Sequence, residues 1–319
     1  MRGIFDKDIE SRLTHFNALL SANYSWEQMT QIFSQISDSR ARSHADSGTY
    51  LSQHLSIANF VTAGIHSVSL SLFNLKHFEP TASSNDQSEN VFPQDWLSES
   101  LRPIPDFILL QLFCQLSNLS TSLVHMVEIG QDSSARVLLR AIEELFQIIL
   151  IISADKNDFK RYSIKGSNSD SEIMHKYFST KKRQTKLAAI EKRLGFEENQ
   201  IEERAGFRTA LHKNFSGSVH SSPISSVVGS MVWSFDKDLG HIGLVGGCNK
   251  LSRSTLGHFI ASSDLFLEMF IQILEKINKF KFPEDRTKLW NNTKATSLIL
   301  RSLLEAEKKA QQSRTPESP

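Results

Sequence analysis

The chain has 319 residues, enough for one large domain or two ordinary ones. Its 36 basic and 35 acidic side chains give a formal charge of +1, so the net charge does not indicate a nucleic acid or a membrane surface as a partner. Two cysteines exclude a disulfide framework, and no histidine spacing is typical of a metal site, so we expect neither a metal nor a cofactor. Acidic side chains lie where a secretory signal would have its apolar run, which predicts a cytoplasmic protein.

Apolar residues recur at helical spacing along most of the chain, which predicts an all-α protein built as a helical bundle. In the N-terminal third the expected helices cover residues 5–21, 25–38 and about 49–75. The Ser-rich stretch 37–48 is expected to be a loop or a frayed helix end, and the polar stretch 79–93 a mobile loop. The apolar stretches 55–75 and 137–152 both contain polar or charged side chains, so we predict no membrane span.

Two prolines open the next helix, at 106–129, and Gly130 ends it. Because only a very short turn separates it from a helix at 131–154, the two are expected to form an antiparallel hairpin. Glycines and β-branched residues near 227–247 predict one short β-hairpin. The remaining expected helices cover 173–194, 197–215, 254–280 and 285–312.

Polar and serine-rich stretches between the helices predict the division of the chain into regions. The last residues, SRTPESP, are expected to be disordered. The expected regions are an N-terminal helical region at 1–78, a loop or linker at 79–104, a helical bundle core at 105–282, a C-terminal helix at 283–312 and a disordered tail at 313–319.

The helix at 131–154 is apolar in nearly every direction except one, which is typical of a central helix wrapped by its neighbours. A buried charge is costly unless it is paired. Arg140 is therefore expected to pair with Glu144 or Glu143, one turn away. This cluster is either an internal ion pair that holds helices together or the floor of a polar pocket. The polar sector consists of Asp132, Ser133, Arg136, Arg140, Glu143, Glu144 and Gln147.

Ser216 and His220 lie four residues apart and share a face if the segment is helical. A serine and a histidine side by side can serve nucleophilic chemistry. The alternative is a histidine that forms a hydrogen bond at a helix end.

The segment from Arg253 to His258 has an arginine, a polar residue, three further residues and a histidine. This pattern resembles the catalytic motif of the higher-eukaryote and prokaryote nucleotide-binding superfamily of helical ribonucleases. In that superfamily the arginine and histidine act on the scissile phosphate, usually across a dimer. The resemblance implies a metal-independent ribonuclease, of the kind found in defence and toxin systems, with Arg253 and His258 as its catalytic residues.

A basic stretch occupies residues 176–193. Its lysines and arginine at Lys181, Lys182, Arg183 and Lys186 could contact a phosphate backbone. The alternative is the solvated face of a helix.

A second resemblance covers residues 105–225, a little over a third of the chain. The segment from Ala135 to Glu144, an apolar continuation, Asp155 and Arg161-Tyr162 are similar to an uncharacterised bacterial helical family, a domain of unknown function. Its members pair an Arg-x-x-x-Glu helix with a later Ser-x-x-x-His-Ser segment. The family has no established activity to carry over. The resemblance implies four signature residues that meet in one pocket if the 197–215 helix packs beside the central one: Arg140, Glu144, Ser216 and His220.

Two functions follow from these patterns. The first is a non-catalytic binding, interaction or sensor module with a polar pocket on the central helix, which is compatible with a protein partner or a homodimer. The second is the helical ribonuclease. A basic cleft around His258 would favour the enzyme, and a cavity shared by Arg140 and His220 would favour the four-residue pocket.

Overall fold

The computed structural model describes residues 26–73, 105–163, 170–219, 231–233, 235, 240–242, 246–280 and 284–312. Almost all of these residues are helical, so the expected all-α class is confirmed. Three expected segments lie outside the described residues: the helix at 5–21, the loop or linker at 79–104 and the tail at 313–319. The described helices are α1 Trp26–Tyr50, α2 Ser52–Phe73, α3 Pro105–Glu128, α4 Asp132–Ala154, α5 Lys156–Ser163, α6 Asp170–Phe178, α7 Thr180–Leu194, α8 Glu198–Val219, α9 Lys250–Gln272 and α10 Glu284–Gln312.

Helix α4 is the central helix of the bundle, as the sequence predicts. It packs against α3, α5, α7, α8 and α9, and every residue in its second half, from 145 to 154, is buried. Phe146 on α4 stacks on Phe266 of α9 with ring centroids 4.3 Å apart. Phe113 of α3 and Phe270 of α9 extend this aromatic cluster. The core of the protein therefore lies where α3, α4 and α9 meet.

The turn between α3 and α4 is also a docking point for the start of α9. Gly130 adopts a φ of 79°, which favours glycine, and its carbonyl accepts a hydrogen bond from the backbone N–H of Gly247 at 2.9 Å. A Cβ atom at Gly246 would lie 2.2 Å from the carbonyl oxygen of Gly130. Close approach of the two backbones therefore requires glycine at both positions.

A short β-hairpin precedes α9, as expected near 227–247. Strand β1, Met231–Trp233, pairs antiparallel with β2, Gly240–Ile242. Asn249 caps α9 by accepting from the backbone N–H of Leu251, and its amide donates to the carbonyl of Met231 at 2.9 Å. One side chain thus fixes the hairpin to the first turn of α9.

The expectation of a loop or frayed helix end at 37–48 is wrong, because α1 continues through this stretch to Tyr50. Ser43 and Ser47 lie one turn apart on α1 and are both buried. The Ser47 hydroxyl donates to the carbonyl of Glu128 at 3.1 Å, at the C-terminal end of α3. Small hydroxyl residues therefore serve a close contact between helices here and do not mark a loop.

The helix expected at 173–194 is broken in two at Ser179, whose ψ of 155° is extended. The break leaves the carbonyl of Phe178 without a helical partner, since a helix end exposes its last carbonyls. The side chain of Arg183 donates to that carbonyl at 2.7 Å. A buried arginine one turn into α7 thus stabilises the junction.

Helix α2 packs against α3, α9 and α10 and shares one hydrophobic core with them. Its stretch Ser52–Leu72 has a mean hydropathy of 1.3 and is long and apolar enough to cross a membrane. A core helix of a soluble protein has the same length and composition, and half of the most apolar part of α2 is buried by its neighbours. Gly64 permits a close approach between α2 and α10, since a Cβ atom there would lie 2.4 Å from the Thr296 side chain.

Candidate functional site

A pocket of about 730 Å³ lies between α8, α9 and α10, and we call it the outer pocket. Its apolar wall includes Phe207, Ala261, Leu265 and Leu304. Its volume lies within the range of small-molecule sites, and six of its eleven lining residues are charged. The charged residues of the pocket are Glu203 and Arg204 on α8, Asp264 and Glu268 on α9, and Arg301 and Glu305 on α10.

Asp264 is the most unusual of these residues. Its residue is only 9% exposed, and its Oδ1 atom is buried without a hydrogen-bond partner among the described residues. The nearest cation is Arg301, whose Nη2 atom lies 3.8 Å away, beyond hydrogen-bond distance. Burial raises the pKa of Asp264 to about 6, against the attraction of Arg301. The pocket wall therefore holds a carboxyl group whose ionised form is poorly compensated.

Glu268, one turn after Asp264, is compensated from two sides. Its carboxylate accepts from Arg204 of α8 at Oε2, and it pairs with Arg301 of α10 through Oε1 at 3.1 Å. The Arg204 guanidinium also lies over the ring of Phe196, 4.1 Å from its centroid, yet its Nη1 atom has no hydrogen-bond partner among the described residues. Glu268 thus ties three helices together, while Asp264 and part of Arg204 are left incompletely paired.

A much smaller cavity, of about 30 Å³, lies deeper in the bundle, and we call it the inner cavity. Its lining includes Glu143, Gln147, Arg208 and Ser262, and it shares Phe207 and Leu265 with the outer pocket. Its volume is about that of one water molecule. Phe207 and Leu265 therefore border both spaces.

Glu143 is buried on the central helix, and its Oε1 atom has no hydrogen-bond partner among the described residues. Burial raises its pKa to about 7, against the opposing effects of Ser262, Arg140 and Arg208. Glu143 therefore titrates close to neutral pH. Since it faces the inner cavity, its charge is sensitive to any water that enters there.

A second set of charges around α7 is fully paired, and we call it the α7 seam: Glu144, Gln147, Arg183, Gln184, Glu191 and Arg208. Arg183 donates to Gln147 at 3.0 Å and to Glu144 at 2.9 Å, in addition to the carbonyl of Phe178. Arg208 forms a bidentate pair with Glu191, with distances of 2.6 and 3.0 Å, and donates to Gln184 at 3.0 Å. Each guanidinium nitrogen of the two arginines has a partner, which is the pattern of a structural network.

The polar sector of α4 is divided among different neighbours. Arg140 pairs with Glu144 at 2.7 Å, and the same carboxylate oxygen accepts from Arg183. Arg136 pairs with Asp132 at 2.8 Å, and Asp132 also accepts from the Thr255 hydroxyl of α9. The sector expected from the sequence thus holds α4 to α7 and α9, and two of its members, Glu143 and Gln147, line the inner cavity.

The four-residue pocket is described only in part. Helix α8 packs beside α4, and Ser216 is half-buried near its end. His220 lies outside the described residues, so the meeting of Arg140, Glu144, Ser216 and His220 stays a prediction.

Arg253 and His258 lie on α9 in different surroundings. Arg253 is exposed, donates to the carbonyl of Tyr50 at 3.3 Å, and lies over the ring of Phe235. His258 is half-buried, with its Nδ1 atom 2.7 Å from the carbonyl oxygen of Ser254 on its own helix and its ring edge-on to Phe215. The ribonuclease hypothesis stays a prediction, and these contacts add nothing in its favour.

The predicted basic stretch is partly used within the fold. Arg183 is buried, and Lys186 pairs with Asp158 at 2.6 Å. Lys181 and Lys182 are exposed, and the Lys182 ammonium contacts the carbonyl of Lys176. A nucleic-acid surface here would therefore rest on two of the four predicted side chains.

No family model matches the sequence, and no curated protein or solved structure matches it either. The resemblances to the uncharacterised bacterial family and to the ribonuclease superfamily therefore stay predictions. Within the described part of the chain, no group of three histidine, cysteine or acidic side chains is arranged to hold a metal ion.

The sequence did not single out Arg204, Asp264, Glu268 or Arg301, although a signal was present. Asp264 and Glu268 lie four residues apart in the segment 264–271 of α9, whose other residues are all apolar. A charge on a core helix demands a partner, and this holds for Asp264 and Glu268 as it does for the charges of α4. Which arginines supply the partners is decided by how α8 and α10 dock, which the sequence pattern does not show.

Proposed function

We propose that the protein is a binding module for a small molecule and that the outer pocket is its ligand site. The observation that carries this proposal is Asp264, a buried residue of the pocket wall whose carboxylate Oδ1 atom has no hydrogen-bond partner among the described residues. Leaving a buried polar group unpaired costs about 1–3 kcal/mol. A ligand that donates to Asp264 would recover that free energy.

A purely structural role explains the cluster less well. A network that serves only to hold helices together is expected to satisfy all of its members, as the α7 seam does. In the outer pocket two charged groups, Asp264 and Arg204, retain an unpaired atom, and both border a space of about 730 Å³. A ligand gains the most binding free energy by pairing with unpaired polar groups that border an open space.

The inner cavity connects this site to the central helix and supports a sensor role. Phe207 and Leu265 border both spaces, so a ligand that displaces either side chain changes the surroundings of Glu143. Because Glu143 titrates near neutral pH, such a change would alter its charge. The module senses its ligand through α4 in this proposal, and we place it in the bacterial cytoplasm on the basis of the sequence patterns.

The test is a ligand-observed NMR screen with a fragment set that contains cationic, neutral and anionic members. Leu304→Trp fills the outer pocket from α10, whereas Leu298→Trp adds the same side chain six residues earlier on α10, at a position that is 68% exposed. We expect fragments that bind wild type and Leu298→Trp but not Leu304→Trp. The proposal fails if no fragment shows that difference while circular dichroism confirms that both variants are folded.

A further inference from the structure

Resting on the proposed function, we infer that the ligand of the outer pocket is a small organic cation, with an ammonium or guanidinium group attached to an apolar body. Three features of the pocket carry this inference: its balance of charge, the pairing of its arginines, and the position of its apolar wall.

The charge balance of the pocket is negative. Four carboxyl groups line it, from Glu203, Asp264, Glu268 and Glu305, against the guanidinium groups of Arg204 and Arg301, which gives a formal charge of −2 when all are ionised. A concave site lined by an excess of one sign of charge raises the local concentration of the opposite sign. This balance favours a cation over a neutral molecule, and a neutral molecule over an anion.

The two arginines are already engaged by a carboxylate of the wall. Both pair with Glu268, one through each of its oxygens, and Arg204 also lies over the Phe196 ring. An anionic ligand would have to compete with Glu268 for them. At Asp264 the competition is weaker, since the nearest positive group, the Arg301 guanidinium, lies 3.8 Å away, beyond hydrogen-bond distance.

The remaining two carboxylates lie at the exposed edge of the pocket. Glu203 on α8 and Glu305 on α10 are both exposed, and neither forms an ion pair with another described residue. They come from helices on different sides of the pocket, whereas the buried Asp264 comes from α9. A cation that enters thus passes from exposed carboxylates to a buried one.

The apolar wall defines the rest of the ligand. Phe207, Leu265 and Leu304 contribute hydrocarbon surface to the pocket, which an inorganic cation would leave in contact with water. An aliphatic or aromatic group attached to the amine removes that surface from water, at about 25 cal/mol per Å². The site therefore fits an amine with a hydrophobic body better than a metal ion.

The experiment compares three molecules of nearly the same shape: 2-phenylethylamine, the neutral 2-phenylethanol and the anionic 3-phenylpropionate. Each is titrated into the full chain at pH 7.5 and low salt, with binding followed by saturation-transfer NMR and calorimetry. We expect the amine to bind at least about tenfold more tightly than either of the others, since a charge-assisted hydrogen bond is worth roughly that factor. Its binding should be lost in Leu304→Trp and kept in Leu298→Trp.

Two variants test the carboxylates directly. Asp264→Asn keeps the shape of the side chain and should weaken the amine about tenfold. Glu203→Gln, at an exposed position that folding does not depend on, should weaken it about threefold at low salt, and Glu202→Gln on the adjacent exposed residue outside the pocket lining should leave it unchanged. Weakening by Glu202→Gln equal to that by Glu203→Gln would reduce the effect to general surface charge and overturn the inference.

The failures of the two proposals are distinguishable. If neutral or anionic molecules bind in a Leu304-dependent manner as tightly as the amine, or if only they bind, the ligand class is wrong and the pocket still binds small molecules. If no molecule in the wider fragment set shows Leu304-dependent binding, the proposed function fails and the inference fails with it.

Discussion

Two clusters of buried charge lie side by side in one bundle and differ in how completely they are paired. In the α7 seam each guanidinium nitrogen of Arg183 and Arg208 has an acceptor. In the outer pocket, Asp264 and Arg204 each keep a buried atom without a partner. A fully paired cluster stabilises one arrangement of helices, whereas an incompletely paired one beside open space has free energy to gain from a ligand. Substitutions in the two clusters should therefore differ in the sign of their effect on stability.

The largest effect is expected for Arg208→Met in the α7 seam. Glu191 has no exposed surface, and losing Arg208 would leave its carboxylate buried and unpaired. Breaking a buried pair in this way costs about 3–5 kcal/mol. Urea denaturation at pH 7.5 measures the loss in the free energy of unfolding.

The double variant Glu191→Leu/Arg208→Met is the control. Replacing both partners removes the unpaired charge, so we expect most of the lost stability to return. If the double variant is as unstable as Arg208→Met alone, the Arg208 side chain stabilises the fold by its packing and not by its pairing with Glu191.

A smaller and pH-dependent effect is expected for Glu143→Gln. The pKa of Glu143 is raised from 4.5 to about 7 in the folded protein, so ionisation destabilises the fold. Wild type should lose stability relative to Glu143→Gln as pH rises from about 4.5 to about 7, by about 3 kcal/mol in total. Above pH 7 the difference should be constant. Denaturation of both proteins between pH 4.5 and 8 checks this, and parallel curves would show that Glu143 is compensated in solution.

For Asp264→Asn we expect a gain in stability at neutral pH, opposite in sign to Arg208→Met. The raised pKa of Asp264, about 6 against an ordinary 3.8, means that wild type loses stability as pH rises through this window. The variant avoids that loss, which amounts to about 2–3 kcal/mol above pH 6. Thermal denaturation at pH 4 and pH 7.5 compares the two proteins, and a destabilised variant at pH 7.5 would assign Asp264 to a structural pair.

The smallest effect is expected for Glu144→Gln. The Glu144 side chain is 40% exposed, so water and salt screen its pairs with Arg140 and Arg183. Arg183 keeps Gln147 and the carbonyl of Phe178 as acceptors. We expect a loss of about 1 kcal/mol that shrinks in 0.5 M NaCl. A loss that is unchanged by salt would indicate that the whole seam is shielded from solvent.

The architecture was predictable where one local pattern was strong. Helix α4 and its hairpin with α3 follow from continuous apolar periodicity and from Gly130 at the turn. The prediction of a loop or frayed helix end at 37–48 was wrong because serine is common both in loops and where two helices approach closely. Ser47 lies at such a close approach between helices. Composition cannot distinguish the two, since the partner is the carbonyl of Glu128, which is distant in the chain.

The candidate site was less predictable than the fold for the same reason. The charges of α4 stand out because the helix is almost wholly apolar, and they are largely paired with their neighbours. Asp264 differs from Glu268 because its Oδ1 atom has no hydrogen-bond partner among the described residues. Whether such a partner is present depends on how α8, α9 and α10 dock. A sequence shows that a buried charge needs a partner, but only the packing shows which charge has none.

The close contact between Gly64 and Thr296 has a consequence for the order of events during synthesis. Helix α2 emerges from the ribosome early and α10 late. The apolar face of α2 that packs against α10 therefore stays uncovered until most of the chain has been translated. The outer pocket cannot form before that point either, because its residues Arg301 and Leu304 lie on α10. Contacts so far apart in sequence form slowly, and the half-made bundle exposes apolar surface until α10 arrives. The nascent chain therefore exposes apolar surface at a stage when the outer pocket has not yet formed.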